Sequence, residues 1–357
     1  MLDILNPAPC TLEDFAQSRL AHRKWLFPWE LLPSIPKVGG TGMHVNPNDQ
    51  HNQYVLPTAS QLASWRAVFQ SLLAGAWGPA HLQAQMISST YNVVQFLDCP
   101  TGRIYYVLME GVPGKIPCPA NHPSGSVTIT DPCDPTRRGW GTYVFAAQPQ
   151  RALSLSAPHP FDDADTEDEA VEAFLNLGAR TLLIAGTDRD QNKAEAPCAQ
   201  ARPKKRPYRE ADVSHTAESV FQMAFEEIYS SDASTWHLQF HGNATCDVDV
   251  FLSNGVEAAP AKLHTLAENI AKASEEAAPP GGRVLMVDVY DDSDDCALRG
   301  KDNMQMRFAS GRPHASICAE GNDPIGPSRF IHVEQSREAR RASKRGVVVA
   351  GIGATFP

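Results

Sequence analysis

The chain is 357 residues long, with 42% hydrophobic residues, 28 prolines and 24 glycines, which suits a loop-rich globular protein of one large or two modest domains and argues against coiled coils, repeats and wholesale disorder. Its 31 basic against 41 acidic side chains leave a net charge of −10, so no whole-protein field draws in nucleic acid or an anionic membrane. No apolar run reaches the roughly 18 residues that a membrane-spanning helix needs, and the opening MLDILNPAPC has neither the basic nor the apolar part of a secretory leader.

The eight cysteines are dispersed and none forms a CxxC pair, which disfavours a zinc ribbon or a thioredoxin motif. An even set in a proline-rich acidic chain fits four disulfides, so we expect a secreted protein whose leader has been replaced by Met1.

Residues 1–85 read as a helical and loop appendage, and 86–357 as an α/β catalytic domain. VGGTGMHVNPNDQHNQYVLP is loop-like and carries His44, His51 and Asn52. SQLASWRAVFQSLLA follows with Leu62, Trp65, Val68, Phe69 and Leu72 at helical spacing. YNVVQFLD and RIYYVLMEG, joined through Cys99-Pro-Thr-Gly102, form a hairpin signal, and WGTYVFAA and ALSLSAP continue as strands. DTEDEAVEAFLNLGA is a predicted helix, with Thr166 and Glu169 as a capping box and Gly178 as its C-terminal cap.

Further along come a strand at RTLLIAGT, a helix over 215–229, strands at TWHLQFH and DVFLSNG, and a helix near 262–273. RVLMVDV (283–289), FIHVEQS (330–336) and GVVVAGI (346–352) are predicted strands. The alternation predicts an α/β fold with a mainly parallel central sheet flanked by helices, whose ligands bind beyond the carboxyl ends of strands. The basic run Arg202–Arg209 reads as a solvated loop, and Asp288–Asp295 lacks the glycine and distal glutamate of an EF-hand.

No GxSxG, HExxH or GxxxxGK[ST] motif is present, so the chemistry is sought in polar residues at strand ends. His159 closes ALSLSAPHP and is followed by Asp162 and Asp163. His237, Gln239 and His241 share one face of TWHLQFH, with Trp236, Leu238 and Phe240 on the other. Glu334 shares a face of FIHVEQS with Phe330 and His332, and a carboxylate in such an apolar strand is costly unless paired or functional. Two imidazoles and a carboxylate are the usual ligands of a catalytic zinc ion, with a separate glutamate as general base. His215 and Arg307 are candidate substrate contacts.

The succession APHP…D, GTDRD, HLQFHG, DVFLSNG and FIHVEQSREAR resembles the N-formylglutamate amidohydrolases and, more distantly, the zinc carboxypeptidases of the carboxypeptidase A type, over about residues 150–340. The resemblance implies a phosphorylase/hydrolase-like fold and a Zn2+ ion held by His159, by Asp162 or Asp163, and by His241. It also implies Glu334 as catalytic base and Arg189 as the group that polarises a carbonyl or binds a substrate carboxylate. The chain departs from both patterns: HxxE becomes His159-Pro-Phe-Asp162 with Asp163 adjacent, and PHSG becomes Pro158-His159-Pro160-Phe161. The expected activity is hydrolysis of an amide bond in a peptide or N-acyl amino acid, without nucleic-acid or membrane partners. Two alternatives are a non-catalytic binding protein on the same scaffold, and a hydrolase of esters or carbohydrates with Trp65 and Trp77 lining a cleft. A sequon, Asn243-Ala-Thr245, directly follows the proposed ligand strand.

Overall fold

A computed structural model describes residues 54–98, 101–110, 116–117, 133–134, 138–192, 194–200, 208–255, 259–290, 296–319 and 328–357. Nine strands make one mixed sheet: β1 (Tyr91–Asp98), β2 (Arg103–Glu110), β3 (Thr142–Ala146), β4 (Leu153–Ala157), β5 (Thr181–Ile184), β6 (Trp236–Gly242), β7 (Val250–Ser253), β8 (Val287–Val289) and β9 (Phe330–Gln335). Their spatial order is β1-β2-β3-β5-β4-β6-β9-β7-β8. The central block β5-β4-β6-β9 is parallel, β8 runs parallel to β7, and the other pairings are antiparallel. Among the described residues, seven helices of six residues or more flank the sheet: α1 (Ala59–Leu73), α2 (Trp77–Ile87), α3 (Thr166–Leu177), α4 (Val220–Ser231), α5 (Ala261–Ala277), α6 (Met304–Ala309) and α7 (Arg345–Thr355).

Strands β4, β5, β7 and β9 are buried at every position, as strands covered on both faces must be. Each face has its own core. Leu155, Leu182, Leu238, Phe240, Ile331 and Val333 pack with residues of α3, α5 and α7. On the opposite face Tyr143, Phe145, Leu183 and Phe330 pack with residues of α1, α4 and α6. The period-two alternation of β6 therefore sends Leu238 and Phe240 to one core and His237, Gln239 and His241 to the other side.

Several local expectations change. GVVVAGI is not a strand but the body of α7. A short apolar run buried on most sides does not reveal its own period, and here Gly351 lets α7 approach α5 so closely that a Cβ would meet the backbone nitrogen of Ile270 at 2.8 Å. Of RVLMVDV only Val287–Val289 pairs as a strand. The helix expected from His215 begins at Val220, because Ser219 accepts the Gln222 N–H and caps it there.

The Thr166/Glu169 capping box does not form. Asp165 precedes α3 with φ 72°, and Thr166 instead donates to the Asp163 carbonyl at 2.7 Å. Gly178 does close α3 in the left-handed conformation. Trp65 is fully buried in an aromatic cluster with Tyr91 and Trp140, and Trp77 stacks on Tyr106 at 3.8 Å, so both serve packing.

Glu169 is buried and accepts from Gln335 Nε2 at 2.6 Å. Burial pushes its carboxyl up to about 8, against the lowering influence of Gln335 and Arg340. The unfolded chain releases that proton near the ordinary value of about 4.5, whereas the folded chain keeps it. Stability should therefore fall as pH rises from about 4.5 to about 8, then level off. Glu169→Gln should remove that slope and be more stable at pH 8.5 by on the order of 3 kcal/mol. Parallel pH-stability curves for the two proteins in urea would contradict this.

Cys198–Cys318 and Cys246–Cys296 are disulfide-bonded, with Cα atoms 5.0 and 5.1 Å apart. Cys10, Cys99 and Cys118, the side chain of Cys133, the loop carrying His44, His51 and Asn52, and most of both charge runs lie outside the described residues. Among the described residues no helix is long and apolar enough to cross a membrane.

Candidate metal centre

Three adjacent parallel strands deliver the site. β4 ends at Ala157, and His159 follows it beyond the carboxyl edge. In β6 and β9 the register sets Glu334 opposite His241 and His332 opposite Gln239, all on one face. The main chain then turns tightly: the His159 carbonyl accepts both the Asp162 and Asp163 N–H groups, at 3.1 and 2.8 Å. That turn folds the Asp163 carboxylate back over the imidazole it follows.

Asp163 Oδ2 lies 3.4 Å from His159 Nδ1 and 3.5 Å from His241 Nδ1. One donor atom from each of these three buried side chains lies within 4.8 Å of the others. The far nitrogens are already engaged: His159 Nε2 meets Asp212 Oδ1 at 2.9 Å, and His241 Nε2 meets Gln239 Oε1 at 2.9 Å. An acceptor on Nε2 holds the proton there and leaves the Nδ1 lone pair for a ligand, the usual arrangement around metal-bound imidazoles. Tetrahedral ligands about 2.0–2.1 Å from an ion stand about 3.4 Å apart, so these spacings suit zinc and are long for hydrogen bonds. The residues fit the group.

The charges are strongly coupled. Burial would lower His159, but the Asp212 charge and the Asp163 and Asp212 carboxylates beside its two nitrogens push it up to about 9, so without an ion the ring carries a second proton, on Nδ1, that an ion would have to displace. Burial also opposes ionisation of Asp163, yet the two histidines hold its carboxyl below the ordinary range. Burial lowers His241 to about 4. Glu334 is driven well above the usual carboxylate range by burial and then by the Asp163 charge. Its Oε2 has no hydrogen-bond partner among the described residues, and its Oε1 lies 3.7 Å from His332 Nε2. His332 packs its ring 4.2 Å from that of His241.

Asp162 stands apart from this cluster. It accepts the Arg189 N–H at 3.3 Å and lies with Asp188 and Asp190. Burial raises its carboxyl to about 6, with Arg189 opposing and Asp188 reinforcing the rise. Arg189 reaches the edge of the site, its Nη1 3.5 Å from His159 Nδ1. His215 is one link further out: its Nδ1 meets Asp212 Oδ2 at 2.9 Å and its ring stacks on Tyr208 at 3.6 Å. Arg307 is 1% exposed and donates from Nη2 to the Ala319 carbonyl at 2.5 Å. Asn243 is 7% exposed, so its amide is largely withdrawn from solvent in the folded chain. His237 sits among Phe225, Tyr229 and Phe330 with neither ring nitrogen hydrogen-bonded among the described residues, and burial lowers it to about 3.

Asp212 was not among the residues expected from the sequence. Its only signal was the spacing Asp212-Val-Ser-His215, which in a turn brings carboxylate and imidazole together. Nothing local indicates that the same carboxylate reaches His159, 53 residues earlier.

No protein-family model and no curated protein matches the chain. Among solved structures it is similar to YNDL in a zinc-free apo form, at 12% identity over 53% of this chain and 67% of that one, with a TM-score of 0.29. It is similar to a bacteriophage poly-gamma-glutamate hydrolase at 13% identity over 58% and 84%, with a TM-score of 0.31. An aspartoacylase family protein from Mesorhizobium loti gives 11% identity over 74% and 71%, with a TM-score of 0.33. Superpositions this loose leave any chemical reading to the donor geometry.

Proposed function

We propose that this protein is a secreted zinc-dependent hydrolase that cleaves an amide bond in a peptide or N-acyl amino acid. One observation carries the reading: two imidazoles with occupied Nε2 atoms turn their Nδ1 atoms to the same Asp163 oxygen, with Glu334 directly across the sheet from one of them. His159, Asp163 and His241 would hold the ion. When bound, zinc would supply Lewis acidity toward the scissile carbonyl and the positive charge that returns Glu334 to its carboxylate form.

Glu334 takes the proton of the attacking water and passes it to the leaving amine. Its buried position keeps that carboxylate from being levelled by solvent. Arg189, at the rim and partly exposed, holds an anionic group of the substrate or the developing oxyanion. Asp212 orients His159 through Nε2, and His215 braces Asp212 from the other side. The two disulfides support the extracellular assignment, and the acidic net charge supports a small-molecule or peptide substrate over nucleic acid or membrane.

The test is hydrolysis of a panel of N-acyl amino acids and short peptides by zinc-loaded protein. Turnover that a chelator abolishes and zinc restores is the expected result. Stoichiometric zinc with no turnover on any member would replace this reading with that of a metal-binding protein.

A further inference from the structure

A row of buried amides leaves the site on the side away from Asp163. His241 Nε2 meets Gln239 Oε1 at 2.9 Å, Gln239 Nε2 donates to Gln305 Oε1 at 3.2 Å, and Gln305 Nε2 donates to Gln222 Oε1 at 2.7 Å. Gln222 Nε2 then donates to Glu226 Oε1 at 3.0 Å. The three glutamines are fully buried and Glu226 is nearly so. The row ends near the surface, where Glu226 meets Arg66 at 3.2 Å and His314 at 2.6 Å.

Every link points the same way, and the fixed ends require it. A carboxylate held between Arg66 and His314 only accepts, so Gln222 must present Nε2 to it and Oε1 to Gln305. Gln305 Nε2 also donates to the Val213 carbonyl at 2.9 Å, which allows no flip. A second anchor acts independently. Asn303 caps α6 by accepting the Met306 N–H on Oδ1 at 2.9 Å, so its Nδ2 must face Gln239, and it donates to Gln239 Oε1 at 2.5 Å. Both anchors turn the Gln239 carbonyl toward His241, which must therefore carry its proton on Nε2.

We propose that this polarised chain, Gln239–Gln305–Gln222 anchored on Glu226 and on Asn303, fixes the tautomer of His241 and so keeps its Nδ1 available to the metal. The inference rests on His241 being a ligand. Asn303 and the three glutamines are positioning residues: none touches the metal centre except through Gln239. The amide orientations are those the network itself demands.

Long-range proton–nitrogen NMR correlation of the metal-free protein reads the tautomer directly, and chelator competition reads zinc affinity. Wild-type His241 should be protonated on Nε2. Asn303→Asp keeps the helix cap but sets an acceptor against Gln239; because the Glu226 end still holds the amide, it is combined with Gln305→Met, which cuts that end, and in the double variant the amide should flip, His241 should shift to the Nδ1–H form, and zinc affinity should fall about 10–100-fold. Asn303→Ser keeps the cap without inverting the polarity and should retain the wild-type tautomer.

Gln239→Met, which removes the acceptor while keeping volume, should also lose about 10–100-fold in zinc affinity and covers the case that the double variant fails to fold. An Nδ1–H tautomer in the wild type, an unchanged tautomer in the folded Asn303→Asp/Gln305→Met variant, or wild-type zinc affinity in folded Gln239→Met would overturn the inference. If the tautomers and affinities behave as stated but no substrate is turned over, the hydrolase reading fails and this one stands.

Discussion

Glu334→Gln should bind zinc as the wild type does and turn over substrate about 10²–10⁴-fold more slowly, the usual contribution of a positioned general base. The amide has nearly the shape of the acid, so the packing of β9 between β6 and β7 is retained. The lost property is the ability to accept a proton at a position opposite His241. The loss should fall on kcat and on kcat/KM together, because the proton transfer occurs only in the transition state. Zinc content measured beside the kinetics separates the possibilities. A variant that loses its metal would move Glu334 among the ligands, and one that keeps full activity would remove it from the mechanism.

A pair of adjacent substitutions decides which aspartate serves the metal. Asp163→Asn should lose zinc, with affinity down by more than the roughly 10–100-fold typical of a residue that merely orients a ligand. Asp162→Asn should retain about one zinc per chain. The structure predicts the difference because Asp163 Oδ2 lies 3.4 and 3.5 Å from the two Nδ1 atoms, while Asp162 faces the Arg189 main chain. Added zinc should raise the melting temperature of the wild type and of Asp162→Asn, and not of Asp163→Asn, since only a native state that binds gains from mass action. Zinc retained by Asp163→Asn and lost by Asp162→Asn would reverse the assignment.

Much of the sheet was legible because alternation and order are local signals. The row His237-Gln239-His241 declared its face by period two, and the succession of motifs put His159, His241 and Glu334 on or just beyond separate strands; that those strands are neighbours follows only from the sheet order. The choice between Asp162 and Asp163 was not legible, since it depends on a turn closed by two hydrogen bonds to one carbonyl. Helix α7 was misread because valine-rich sequence suits a strand and a buried helix equally when nothing polar marks a face. The amide chain was out of reach for a different reason. Gln222, Gln239 and Gln305 lie on α4, β6 and α6, and each alone is an unremarkable polar residue. Their meaning comes from burial and from the direction of each hydrogen bond, neither of which is written in spacing.

The two faces of β6 and β9 have a consequence for inheritance of change. Along β6, residues 238 and 240 enter one core while 239 and 241 face the side of the proposed metal centre, and along β9 residues 331 and 333 alternate in the same way with 332 and 334. If the proposed site is the working one, folding and chemistry are under separate selection at intervals of a single residue. The apolar positions can drift among residues of similar volume, at a cost to abundance but not to the reaction. Their immediate neighbours have no such freedom, so descendants of this chain should vary along these two strands in alternating stripes.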